Sequence, residues 1–178
     1  MTSRLRRTAG FLILLLGFVL TGYPGSAVGQ TPEELPYSVD WELATIPVGA
    51  DRQVAAILWI IPDQGWHFYA KNPGGTGLPT TITPRLLPGD EVLPVHYPPG
   101  EEKPDVFEPS ILVSVHEDRT PFFIPVSEVE PGEDIHLRTR IELLLCSDTS
   151  CWPVQDILER TWEDVTPSML PRAEEQVW

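Results

Sequence analysis

The chain has two cysteines, Cys146 and Cys151, set close together in the stretch CSDTSCWP. Ser147 to Ser150 lie between them, and Trp152-Pro153 follows at once. In an oxidising compartment, cysteines this close form a disulfide. Such a bridge serves either as a structural staple or as an exchange site. Exchange needs one accessible thiolate and a second thiol near enough to resolve the mixed disulfide. A staple gains with the length of loop it closes: about 3 kcal/mol for a 15-residue loop, and less for one this short. The spacing therefore favours exchange chemistry and leaves the staple open. Metal is the third reading, because two thiolates and two imidazoles satisfy tetrahedral zinc. The four histidines, His67, His96, His116 and His136, show no paired spacing with each other or with the cysteines. The two methionines, Met1 and Met169, leave no methionine-rich copper site.

The compartment is read from the N-terminus. Arg4, Arg6 and Arg7 precede an apolar run from Ala9 to Leu20, then the breakers Gly22, Pro24 and Gly25, then Ser26-Ala27-Val28-Gly29. A basic head, an apolar run of about a dozen residues and a small-residue exit describe a secretory signal peptide over residues 1–29. A retained anchor would need about 20 apolar residues, and Gly22 and Pro24 cut this run short. The expectation is a cleaved, periplasmic protein. Without residues 1–29, nine basic residues face 26 acidic ones, a net charge of −17 against −14 for the whole chain. That balance speaks against nucleic acid and anionic membrane surfaces, which require basic patches.

The elements that must position the cysteines read as strands. Twenty prolines leave almost no window long enough for a helix. Between them lie β-branched and aromatic runs at Tyr37–Ala44, Gln53–Ile61, Trp66–Ala70, Thr80–Leu86, Val92–Tyr97, Ile111–His116, Phe122–Val126, Ile135–Leu145 and Ile157–Trp162. Arg138, Arg140 and Glu142 alternate with Thr139, Ile141 and Leu143, which gives one polar and one apolar face. Turn signals such as Pro62-Asp63-Gln64-Gly65 and Pro131-Gly132-Glu133 separate the runs. The pattern predicts an all-β domain over residues 30–166, an immunoglobulin-like antiparallel β-sandwich, with a short barrel as the competing architecture. Tyr97–Pro109 reads as a long surface loop, and residues 167–178 as a loosely held acidic tail. The cysteines then link the end of one strand to the following turn.

The stretch from Tyr37 to Pro153 resembles the N-terminal periplasmic domain of the DsbD thiol:disulfide interchange proteins, whose relatives are described as disulfide bond corrector domains. Three segments carry the resemblance. Gly65-Trp66-His67-Phe68-Tyr69, with Asn72-Pro73-Gly74 and Gly77-Leu78-Pro79, is similar to the family's aromatic strand and following loop. Tyr97-Pro98-Pro99 leading to Asp105-Val106-Phe107-Glu108 stands where the family has its cap loop. Leu145-Cys146-Ser147-Asp148 through Cys151-Trp152-Pro153 matches the redox pair and the proline after it.

The resemblance implies an immunoglobulin-like electron relay, reduced by a membrane-embedded thiol electron transporter and in turn reducing periplasmic thioredoxin-like proteins. It needs no cofactor and no metal. Cys151 would make the mixed disulfide and Cys146 would resolve it. Phe107 would shield the pair, Asp105 lies near the acidic cap residue, and Tyr69 takes the place of an active-site tyrosine. His67 takes a place that can also be aromatic. Because the sequence ends at Trp178 without a membrane domain, the electron donor is expected to be a separate protein. The alternative is a non-catalytic β-sandwich binding module with a structural Cys146–Cys151 disulfide.

Overall fold

Gly49, at φ +62°, takes the left-handed conformation that lets a two-residue turn join β1 (Tyr37–Val48) to β2 (Asp51–Pro62). The two strands pair antiparallel from Tyr37 opposite Pro62 to Val48 opposite Asp51. The computed structural model describes residues 35–173 apart from residue 127, so the export signal read in residues 1–29 lies outside the described residues. The remaining strands are β3 (His67–Gly74), β4 (Thr81–Leu87), β5 (Glu91–Val92), β6 (Glu101–Pro104), β7 (Leu112–His116), β8 (Thr120–Val126), β9 (Glu133–Cys146) and β10 (Cys151–Val165).

They form two sheets. The smaller is β1-β2-β8; the larger runs β5-β4-β9-β3-β7-β6, with β10 also paired to β9. A strand has only two edges, and β10 follows β9 from Glu133 to Cys146. Both other partners must therefore share the opposite edge, β4 along His136 to Glu142 and β3 at Leu145 and Cys146. The apolar face of β9 (Ile135, Leu137, Ile141, Leu143, Leu145) packs with Phe68 and Ile82 of its own sheet. Across from it lie Val54, Leu58, Ile60, Phe122 and Ile124 of the smaller one. This is the main core of an immunoglobulin-like β-sandwich. Two further apolar clusters lie elsewhere. Ala44, Ile46, Ala55, Ile57 and Phe123 form one, and Tyr69, Val113, Val115 and Cys146 the other.

Four sequence expectations change. Tyr97–Pro109 is not all loop: Glu101–Pro104 pairs with β7, whose free edge recruits it despite weak strand propensity. Of Val92–Tyr97, only Val92 lies in a regular ladder, beyond which Pro94 interrupts pairing and His96 makes an isolated bridge to Phe123. The last strand begins at Cys151 rather than Ile157; as an edge strand it accommodates Pro153. The tail is tied down at least as far as Ala173, which donates its N–H to the Thr45 carbonyl at 3.0 Å, while Thr45 donates to the Pro171 carbonyl at 2.8 Å.

Candidate functional site

The β9–β10 hairpin sets the cysteine geometry. Ser147 N–H donates to the Ser150 carbonyl at 2.8 Å, and Ser147 Oγ accepts from the N–H groups of Thr149 (3.3 Å) and Ser150 (3.2 Å). A serine that folds its own turn in this way fixes the hairpin register. With 147 and 150 hydrogen-bonded, the next pair, Cys146 and Cys151, falls at a non-hydrogen-bonded position, where facing residues come closest. Their Cα atoms are 4.0 Å apart and the side chains form a disulfide. Cys146 ends β9 as the sequence suggested, but Cys151 opens β10 as its ladder partner rather than lying in a turn. Their exposure differs: Cys146 is 0 % exposed, and Cys151 is only partly buried.

The pair faces away from the main core. Leu145 and Phe68 point between the sheets, so their neighbours Cys146 and His67 point outward. On the outer face, His67 of β3 stands opposite Cys146, and Cys151 stands opposite it on the other side. These three residues make a row across three strands. Tyr69 lies two residues further along β3 and pairs with Val115. Tyr69, Val113 and Val115 surround the buried cysteine, with Ile111, Leu144 and Cys151 packed against them. On the inner side, the Trp66 and Trp152 rings meet at 5.3 Å.

Asp105 ties this apolar collar together. Oδ2 accepts from the Tyr69 hydroxyl (3.2 Å) and the Thr76 hydroxyl (2.7 Å). Oδ1 accepts from the N–H groups of Phe107 (2.8 Å) and Glu108 (2.9 Å). Burial pushes the Asp105 pKa up, but the four donated hydrogen bonds outweigh it and hold the carboxyl below its usual range. Burial, and then the nearby Asp105 charge and hydrogen bond, raise the Tyr69 pKa, so the phenol remains a donor. The Gly77 backbone lies against the Tyr69 ring, where a Cβ would collide with it. Two loops, one carrying Thr76 and Gly77 and one carrying Phe107 and Glu108, are therefore fastened at the disulfide by one carboxylate.

The structure brings together Cys146, Cys151, Tyr69 and Asp105 from the sequence reading. Phe107 sits on the same loop, held by its backbone N–H, and as a residue is 58 % exposed. Sequence reasoning missed Thr76, Ile111, Val113 and Val115. Thr76 hides in a glycine-rich loop, and the valines look like ordinary strand residues. A groove of about 520 Å³ runs from Trp66 and His67 past Lys103 and Val115 to Asp148 of the cysteine hairpin. Among the described residues, no three His, Cys, Asp or Glu side chains gather as a metal site.

The disulfide thus lies on the outer face, half covered by a collar. The sequence model of the family described as thiol:disulfide interchange protein DsbD, N-terminal, matches residues 38–161, both cysteines included. The chain belongs to this family. No curated protein matches it. Among solved structures, it is similar to the N-terminal periplasmic domain of ScsB from Proteus mirabilis, with 18% identity and a TM-score of 0.50. That match covers 75% of this chain and 48% of the other, so the chain spans about half the length of that relative. It is also similar to the Neisseria meningitidis DsbD n-terminal domain in the reduced form, at 20% identity and a TM-score of 0.41, covering 70% of this chain and 89% of that one. At 18% identity the ScsB match speaks for the fold alone. As a DsbD N-terminal domain with its disulfide in place, the chain is a periplasmic thiol–disulfide redox module.

Proposed function

We propose that the chain is a dithiol/disulfide carrier, passing electrons from a membrane-embedded thiol electron transporter to periplasmic thioredoxin-like proteins. The observation that carries this reading is the asymmetry of the pair: Cys151 is partly exposed on the outer face, while Cys146 is buried beneath the collar. An exchange reaction needs one sulfur that a partner can reach and a second thiol close enough to resolve the mixed disulfide. In the reduced carrier, the Cys151 thiolate attacks a partner disulfide and forms the intermolecular bond. Cys146 then attacks Cys151, closes the internal disulfide and releases the partner as a dithiol. Two electrons leave the pair in each cycle. Phe107, at the edge of the loop that Asp105 fastens, shields the pair from small oxidants until a partner moves it aside.

The test is trapping. The Cys146→Ser variant should accumulate a mixed disulfide through Cys151 with a periplasmic thioredoxin-like protein, and Cys151→Ser should not. Failure of both variants to trap any such protein overturns the carrier reading. The reduction potential supplies a second check, since a structural bridge lies below about −300 mV and a carrier above it.

A further inference from the structure

We infer that His67 takes the proton from the Cys146 thiol when Cys146 resolves the mixed disulfide and passes it to the departing partner thiolate. The inference rests on the carrier reading and deepens it. The resolving sulfur has a specific difficulty. Cys146 is fully buried in an apolar cluster of Tyr69, Val113 and Val115, where a thiolate is disfavoured and bulk water does not reach the proton. It needs a local base.

His67 is the titratable residue in register with it, directly opposite on β3, with its side chain on the same outer face. Opposed residues in a sheet have Cβ atoms about 4.5–5.5 Å apart, within reach of an imidazole. The ring is held edge-on against Tyr69, with centroids 5.8 Å apart. Among the described residues, no hydrogen bond occupies either ring nitrogen, so the acceptor position is available. His67 also lines the groove, which gives a transferred proton a way out.

Charged groups from every side bear on the ring. Burial lowers its pKa and keeps it neutral at pH 7, the state in which it accepts a proton. Glu117 beyond β7, Asp105 of the cap loop and Asp148 of the cysteine hairpin oppose that shift and favour the imidazolium, while Lys103 on β6 disfavours it. Three carboxylates against one ammonium ease the formation of a short-lived cation.

The steps balance. The Cys151 thiolate forms a bond to one partner sulfur and expels the other as thiolate. Cys146 gives its proton to His67 and attacks Cys151 Sγ. The Cys146–Cys151 bond forms, the bond from Cys151 to the partner breaks, and the partner's second thiolate departs with that electron pair. The proton on His67 passes to this thiolate. The cysteine pair is oxidised by two electrons and the partner disulfide is reduced by two.

The experiment follows the reduced protein reacting with 5,5′-dithiobis(2-nitrobenzoate). The first thionitrobenzoate released reports attack by Cys151, and the second reports resolution by Cys146. His67→Gln and His67→Tyr should leave the first release within about twofold and slow the second by about tenfold to a hundredfold at pH 7. The wild-type rate of the second release should show an inflexion below pH 7 that both variants lack. A purely structural role for His67 would not move that profile. Unchanged second-release rates and an unchanged profile in both variants overturn the inference. Absence of the first release in the wild-type protein overturns the carrier reading beneath it.

Discussion

The Tyr69 hydroxyl donates to Asp105 at 3.2 Å, and this contact joins the strand beside the cysteines to the loop that borders them. Because Asp105 accepts four hydrogen bonds, its removal strands four donors at once. Asp105→Ala should lower the unfolding free energy by roughly 2–3 kcal/mol, in line with hydrogen bonds to a charged acceptor that are partly replaced by water. Asp105→Asn should cost less, since Oδ1 still accepts from both backbone groups. Urea denaturation measures the loss, and hydrogen exchange at the Phe107 and Glu108 amides should accelerate in parallel.

Gly77 meets two constraints, a φ of +85° and the Tyr69 ring where a Cβ would go. Gly77→Ala should destabilise the domain by roughly 2–4 kcal/mol, from left-handed backbone strain and overpacking together. It should also speed reduction of the disulfide by dithiothreitol, because the collar loosens. Gly89→Ala, where nothing lies within 4 Å, is the control and should stay within about 0.5 kcal/mol of wild type.

His116 packs between Phe68 (5.1 Å) and Phe122 (6.2 Å), and burial lowers its pKa to about 4. The unfolded chain protonates this residue near pH 6.5, before the folded one does. Its contribution is therefore complete above about pH 6.5, and falls as the pH drops towards 4, by about 3 kcal/mol in all. His67, shifted in the same direction, adds to the slope. Denaturation curves between pH 4 and 7 should show a shallower loss in His116→Phe than in the wild-type protein.

The disulfide closes a loop with a sequence separation of 5, and its residues lie outside the main core. Reduction should therefore leave the sandwich folded and less stable by roughly 2 kcal/mol. Near-UV circular dichroism should keep its tertiary signal in dithiothreitol. Its collapse would mean that the bridge is a structural staple.

Most of the strands were legible in the sequence because a half-buried strand writes its period of two into the residue types. Ile135, Leu137, Ile141, Leu143 and Leu145 are buried, with Arg138 and Arg140 exposed between them, as the alternation required. The failures occurred where tertiary contact overrode local preference. β6 forms because β7 offers an open edge, and Pro171–Ala173 is held because Thr45 accepts and donates to it. The site was half legible. The cysteines, Tyr69 and Asp105 could be named from their resemblance to a family, but Thr76 carries no signal of its own. Its role exists only because Asp105, distant in sequence, comes within 2.7 Å.

By itself, the sequence determined that the chain is a β-domain with two cysteines near enough to bond, since period and spacing are local properties. It left undecided which cysteine is hidden. Alternation says that Leu145 and Cys146 face opposite sides of a sheet, but not what covers either side. The tertiary structure decided that by packing Tyr69 of β3 with Val113 and Val115 of β7 around Cys146 on the outer face. Cys146 is buried there opposite His67, while Cys151, on the edge strand, remains partly exposed.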